Sequence, residues 1–268
     1  MCGIAGIVDL NGARDVDRDA LARMTAALSH RGPDDEGVFL APGVGFGHRR
    51  LAIIDKEGGA QPFVAQNGAV LTYNGEIYNY QTLARELHCV TLKTRSDTEL
   101  LAEGLASNGA SFVHTLRGMF AFGFWEPAAR RLTLARDRLG ERPLYYTQDK
   151  HGFLLFASEI GALIASGRID ASIEPRAVAD YVFYGYVPDP KTIFRNIYKL
   201  PPAHLLTVER AGDIRLERYW RPVFANGSTL DYADANALLR EIVDDAVEAQ
   251  MMSDVPLGAF LSGGVDSA

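Results

Sequence analysis

The sequence predicts an α+β fold of two sheets covered by helices, followed by part of a second unit. Three observations predict it. The middle of the chain is a succession of short strand-like runs dense in aromatics, and helical periodicity appears on both sides of it. Near the C-terminus a long amphipathic stretch leads through an apolar run into Ser262-Gly263-Gly264-Val265-Asp266-Ser267. Apolar residues make up 47% and charged residues 23%, enough for a buried core, and 268 residues allow one complete domain and part of a second.

Taken in order, residues 3–8 read as a buried strand and 19–28 as a helix with Leu21, Met24 and Leu28 at helical spacing. Strand-like runs follow at 37–40, 45–54 and 69–73, broken by Gly58-Gly59 and by Asn74-Gly75. Asn-Gly is the strongest short hairpin signal, so a type I′ turn between Tyr73 and Glu76 is expected as readily as a functional role. Ser96-Asp97-Thr98-Glu99 has the capping-box pattern and opens a helix through Leu105 that Gly109 stops. Further strands are predicted at 119–125, 132–135, 144–147 and 153–157. A helix is predicted over 175–184, with Pro175 in its first turn, then an irregular proline-rich stretch over 188–202. Residues 206–220 read as a last strand pair turning at Gly212-Asp213, and Asn226-Gly227-Ser228 as a linker. The amphipathic helix spans 231–252, with Leu238, Leu239, Ile242, Val243 and Val247 on one side, and 257–261 reads as an apolar strand feeding the Gly-Gly loop.

Charge and composition exclude several classes. The net charge is −7, and the dense basic runs at 48–50 and 136–142 are short and mixed, so no nucleic-acid role is expected. Two cysteines make no disulfide framework if one is a nucleophile; Cys89 reads as a small packed residue, which suits a reducing cytoplasm. The six histidines are scattered, and His88-Cys89 lacks a second spaced pair, so no metal site is expected. No stretch approaches the ~20 apolar residues of a membrane span, and the first ten residues lack a signal-peptide pattern, so neither membrane insertion nor export is expected.

The chemistry-bearing residues stand at the two ends and in four short motifs. Once Met1 is removed, Cys2 of Met1-Cys2-Gly3-Ile4 carries its own base, because an α-amine of pKa ~7.7–8.0 can exchange a proton with a thiol of ~8.5. By position alone Cys2 reads better as a small residue in a buried strand, and it is the later motifs that favour a nucleophile. The other motifs are His30-Arg31-Gly32-Pro33-Asp34, Arg50-Leu51-Ala52-Ile53-Ile54-Asp55, Asn74-Gly75-Glu76, and Asp97, which also suits a helix cap or first-turn acid. The C-terminal Ser-Gly-Gly loop lacks the Gly-Lys-Ser/Thr ending of the common phosphate loop, yet two glycines let backbone N–H groups converge on phosphate oxygens.

Together these motifs resemble the glutamine-hydrolysing asparagine synthetases over nearly the whole chain. The resemblance implies a four-layer αββα N-terminal-nucleophile hydrolase sandwich over 2–212, a linker over 213–230, and the start of an α/β ATP-pyrophosphatase domain over 231–268. It implies that Cys2 attacks glutamine and that the Asn74 amide and Gly75 N–H form the oxyanion hole. Arg50 would grip the substrate α-carboxylate through two parallel hydrogen bonds, with Leu51, Ala52, Ile53 and Ile54 beside it and Glu76 and Asp97 facing the α-ammonium. Leu261, Ser262, Gly263, Gly264, Asp266 and Ser267 would hold ATP, with Mg²⁺ in the complete enzyme and no cofactor for the glutaminase half.

In such a family ATP activates a carboxylate as an acyl-adenylate, and ammonia carried through the protein attacks it. Met119 would then be a channel wall or ordinary core. Glutamine, ATP and aspartate or another carboxylate are the implied partners, and a homodimer is allowed. The run from Arg136 to Tyr146 also resembles the family, with Arg142 where lysine is common; a salt-linked turn is its default reading. Other amino-terminal-cysteine amidotransferases share the Met-Cys-Gly-Ile start without the Ser-Gly-Gly loop, and a non-catalytic glutamine-binding module is the remaining alternative. Because the sequence ends where the synthetase unit should be starting, it is expected to hydrolyse glutamine yet bind nucleotide weakly or not at all.

Overall fold

The structure is a computed structural model that describes residues 1–10, 12–87, 91–209, 213–224, 227 and 229–265. Two six-stranded antiparallel sheets carry the fold. The first has β1 (Gly3–Asp9) near its middle, flanked by β3 (Val44–Arg50) and β9 (Phe153–Ala157); β2 (Asp35–Ala41) closes one edge, and β8 (Tyr145–Gln148) with β10 (Ile197–Lys199) the other. The second runs β12 (Ile214–Arg218), β11 (His204–Val208), β7 (Arg131–Arg136), β6 (Gly118–Glu126), β5 (Val70–Ile77) and the short β4 (Phe63–Val64). Helices α1 (Arg18–Ala26) and α4 (Ile160–Ala165) cover the first sheet, and α2 (Tyr80–Glu86) with α3 (Asp97–Asn108) covers the second. Helix α5 (Pro175–Tyr184) follows α4, and α6 (Tyr232–Gln250) belongs to the C-terminal segment.

Three separate cores make four layers. Ile4, Val8, Phe46 and Phe156 of the first sheet meet Ala121, Trp125, Leu134 and Leu206 of the second between the sheets. On the outer face of the first sheet, Ile7 and Leu155 pack on Leu21, Met24 and Leu163. On that of the second, Leu71, Tyr73 and Phe122 pack on Leu100, Leu101 and Leu105. With both faces covered, a strand has no solvent side, which is why every residue of β1 is buried and its sequence does not alternate. Glycines set the sheet spacing at one point: a Cβ on Gly6 or Gly123 would lie 2.2 or 2.5 Å from the Phe156 ring, so that ring occupies the gap both leave.

Several expected boundaries differ. Asn74-Gly75 makes no turn but lies inside β5, where Gly75 pairs with Phe120, because both faces of this strand are packed. The strand expected to reach residue 54 stops at Arg50. Ser96 does cap α3 by accepting from Thr98 N–H at 3.2 Å, but Glu99 accepts from Lys93 and Thr94 N–H instead of completing the capping box. The short helices α2 and α4 were not expected, since neither is long enough to show a period. Residues 257–261 form no strand and are exposed; among the described residues no strand lies beside them. Helix α6 is capped by Asp231 at Asp234 N–H, and its apolar side, Leu238 to Val247, is exposed. Gly212 of the expected last turn, Asn226 and Ser228 of the linker, and His88-Cys89 lie outside the described residues.

Candidate active site

Cys2 stands at the entrance to β1, whose Gly3 pairs with Arg49 of β3. A Cβ on Gly3 would sit 2.7 Å from Leu28 Cβ, so glycine lets the end of α1 close over this position. The Cys2 carbonyl accepts from Arg31 Nε at 2.9 Å, and Arg31 Nη1 is tied to Glu159 at 2.9 Å, which fixes the backbone of the N-terminus. Cys2 Sγ accepts from Leu51 N–H at 3.4 Å. Burial pushes the thiol pKa up, while the Leu51 backbone contact opposes it. Met1 lies over the site, its Sδ accepting from Arg142 Nη1 at 2.6 Å. Its amine pKa is lowered, first by burial and further by the charges of Arg31 and Arg142.

One cavity brings Cys2 together with Arg50, Leu51, Ile53, Ile54, Asn74, Gly75, Glu76 and Asp97. Of the residues expected around glutamine, Ala52 alone is not part of this lining; its N–H donates to Asp34 Oδ2 at 2.9 Å. Arg50 is buried at the end of β3, and its guanidinium donates to backbone carbonyls: Nη1 to Lys56 at 2.7 Å, Nη2 to Ile54 at 3.1 Å and Asp55 at 2.6 Å. The expected pair of parallel bonds to a carboxylate is therefore preceded by a loop wrapped on the same guanidinium. Gly59 permits this, since a Cβ there would lie 2.3 Å from Arg50 Nη2.

Asn74 is 1% exposed, and its Nδ2 has no hydrogen-bond partner. A buried, unpaired amide donor is costly, commonly about 1–3 kcal/mol, and Asn74 is among the residues lining the cavity that holds the thiol. Gly75 can be nothing larger, because a Cβ would lie 2.2 Å from the Met119 carbonyl oxygen. Asp97, first residue of α3, accepts from Tyr73 Oη at 2.8 Å and Ile77 N–H at 3.1 Å through Oδ2. Burial raises the Asp97 carboxyl pKa against these hydrogen bonds. Glu76 is raised as well, first by burial and then by the neighbouring Asp97 charge. Two carboxylates thus share one partly dry pocket, an arrangement that suits a cation between them.

Sequence reading missed Gln61 and Tyr73. Gln61 Oε1 accepts from Tyr73 N–H at 2.7 Å and its Nε2 donates to Tyr73 O at 3.1 Å, taking the place of a strand partner beside β5. No motif marks that role. His48, in the basic run at 48–50, is buried with its pKa lowered to about 3 by burial and the nearby Arg50 charge, so it is a neutral packing residue. Arg136 donates to the carbonyls of Gly140, Arg142 and Leu200, and Asp137 accepts from several N–H groups of 139–142, so this run is a turn held by side chain–backbone hydrogen bonds instead of the salt links expected of it. Met119 pairs with Glu76 across β5 and β6.

The residues expected at the nucleotide site are not assembled in the same way. Leu261 is 78% exposed, Ser262 to Gly264 lie in a solvent-facing bend, and Asp266 and Ser267 are outside the described residues. Among the described residues no group of acidic, histidine and cysteine side chains could hold a metal ion, and no helix is long and apolar enough to cross a membrane.

Residues 1–220 match the glutamine amidotransferase domain family and 238–268 match the asparagine synthase family. Glutamine-hydrolysing asparagine synthetase 3 of Bacillus subtilis is 39% identical over 274 residues, covering all of this chain and 44% of the relative. Asparagine synthetase B of Escherichia coli, also glutamine-hydrolysing, is 33% identical over 270 residues with the same two coverages. The chain thus spans less than half the length of these relatives. Among solved structures, the glutamine phosphoribosylpyrophosphate amidotransferase of B. subtilis, complexed with ADP and GMP, matches with a TM-score of 0.60 at 21% identity, over 83% of this chain and 50% of that one. That likeness is one of fold.

Proposed function

The chain belongs to the glutamine amidotransferase domain family, and on that premise we propose that it hydrolyses glutamine through Cys2 with the α-amine exposed by removal of Met1 as its base. The observation that carries the reading is the buried side chain of Asn74, its Nδ2 unpaired, lining the same cavity as the half-buried Cys2 thiol. A donor left without a partner in the resting protein is free to meet negative charge that forms only during attack. The Cys2 thiol adds to the amide carbonyl as its proton passes to the α-amine. The oxyanion is held by Asn74 Nδ2–H and the Gly75 N–H. Collapse breaks the C–N bond, the α-amine returns the proton to the leaving nitrogen, and ammonia departs. Water then cleaves the thioester to glutamate along the same path.

Arg50 takes the substrate α-carboxylate, and Glu76 with Asp97 takes the α-ammonium. The glutaminase unit extends over 2–212 and a linker over 213–230 leads to the second unit. In the whole protein, ammonia amidates an ATP-activated carboxylate, aspartate in the named relatives' reaction class, with Leu261 to Gly264, Asp266 and Ser267 contributing to the nucleotide site and Mg²⁺ bound with the nucleotide. Among the described residues Ser262, Gly263 and Gly264 are exposed, and the glutaminase step is the activity proposed for the cavity around Cys2. Cytoplasmic location follows from this biosynthetic reading. Ammonia release from glutamine by the wild-type chain, and its loss in Cys2→Ala with thermal stability retained, tests the proposal; hydrolysis that survives Cys2→Ala rejects it.

A further inference from the structure

The loop over 51–56 carries the carbonyls that wrap Arg50, and its backbone groups are held one by one. Leu51 N–H reaches Cys2 Sγ and Ala52 N–H reaches Asp34, while the Ile54, Asp55 and Lys56 carbonyls go to Arg50. The two groups between them, Ile53 C=O and Asp55 N–H, go to a single residue far along the chain. Asp254 N–H donates to Ile53 O at 3.1 Å, and Asp254 Oδ2 accepts from Asp55 N–H at 2.7 Å.

Asp55 is the point where the loop needs holding. Its φ of 45° is left-handed, a region a non-glycine residue enters only with local support. Its carboxylate supplies part of that support by accepting from Gly58 and Arg95 N–H. Arg50 Nη2 and Gly59 N–H hold its carbonyl, and Asp254, whose own turn is closed by Ser253 Oγ on Val255, holds its N–H. Asp254 lies within the stretch that matches the asparagine synthase family, outside the amidotransferase match. The Arg117–Asp245 pair at 3.5 Å is a second contact of this segment, but both side chains are about two-thirds exposed, so it contributes little.

We propose that Asp254 is a positioning residue through which the second unit holds the glutamine loop in its binding shape, so that displacement of this segment loosens the site. The proposal rests on the reading of Arg50 and its loop as the glutamine site. It predicts an effect on substrate binding rather than on bond breaking, since Asp254 touches neither the thiol nor the oxyanion donors.

The experiment compares the full chain as wild type, Asp254→Ala and Asp254→Asn. Asparagine keeps an oxygen that can accept from Asp55 N–H, and the backbone bond to Ile53 survives in both variants. Loss of the side-chain bond in Asp254→Ala should raise KM for glutamine about five- to tenfold with kcat nearly unchanged, and speed hydrogen exchange at the Asp55 amide by about tenfold. Asp254→Asn should restore most of both. An unchanged Asp55 exchange rate in Asp254→Ala, an unchanged KM, or an equal loss in Asp254→Asn overturns the proposal. A Cys2→Ala control run beside them separates the two ideas: if it still hydrolyses glutamine the glutaminase reading fails, while the exchange measurement still decides the clamp.

Discussion

The Tyr73 hydroxyl donates to Asp97 Oδ2 at 2.8 Å and so ties β5 to the first turn of α3 at the edge of the cavity. Asp97 therefore serves the fold and faces the site at once. Its carboxyl pKa is raised by burial, so between the ordinary carboxylate range and the folded value the folded state binds more protons than the unfolded one. Stability from this group must fall as pH rises through that window, while the ionised form needed by an α-ammonium accumulates. Asp97→Asn should flatten the pH dependence of the melting temperature and remove the fall in KM for glutamine with rising pH, with KM about tenfold higher at neutral pH. Melting curves and KM measured from pH 4 to 8 check it; an unaltered KM profile would make Asp97 purely structural.

Met1 and Cys2 supply a second test. Burial holds the Cys2 thiol above its ordinary pKa, so at neutral pH it is protonated and needs a base to react. Retention of Met1 moves the free amine one residue away and leaves its side chain against Arg142 over the cavity. A chain with Met1 retained should hydrolyse glutamine at least about a hundredfold more slowly than one beginning at Cys2, the scale on which a positioned base acts. Mass spectrometry of the N-terminus alongside the rate assay checks it, and equal rates would remove the α-amine from the mechanism.

Much of this site was legible in the sequence, because its key residues sit in short contiguous motifs: Cys2 beside Gly3, Arg50 with its following loop, and Asn74-Gly75-Glu76. What the sequence could not show is how those motifs are held. Gln61 serves β5 by pairing both backbone groups of Tyr73, a contact between residues twelve apart with no periodic signature. The Asn74-Gly75 pair carries a strong local turn preference, yet two packed sheet faces keep it in a strand. The apolar run at 257–261 failed as a strand for the opposite reason: a strand needs neighbours, and the described residues offer none there. Helix α5 was predicted with its observed limits from Pro175 in its first turn, and the structure closes its other end with Gly185 in the left-handed conformation at the cap.

Gly75 and Gly161 offer a matched pair of substitutions. A Cβ at Gly75 would collide with a backbone oxygen 2.2 Å away, and neither β5 nor β6 can shift freely between two packed layers. Gly75→Ala should lower stability by about 1–3 kcal/mol or more and abolish glutamine hydrolysis. Gly161, within α4, has nothing within 4 Å of its Cβ position, so Gly161→Ala should leave activity intact and add up to about 1 kcal/mol through helix propensity. Denaturant melts of both variants check the contrast.

Asn74→Ala separates catalysis from stability most sharply. Ordinary buried polar groups lose a hydrogen bond when truncated, but Asn74 Nδ2 has none to lose, so deletion removes a desolvation penalty along with some packing. If the amide waits for an oxyanion, the variant should keep its melting temperature to within a few degrees and bind glutamine with little change in KM, while kcat falls by about a hundred- to a thousandfold. A large fall in stability, or a rise in KM with kcat preserved, would mean that Asn74 holds the ground-state structure or substrate, and that the oxyanion donor must be sought elsewhere in the cavity.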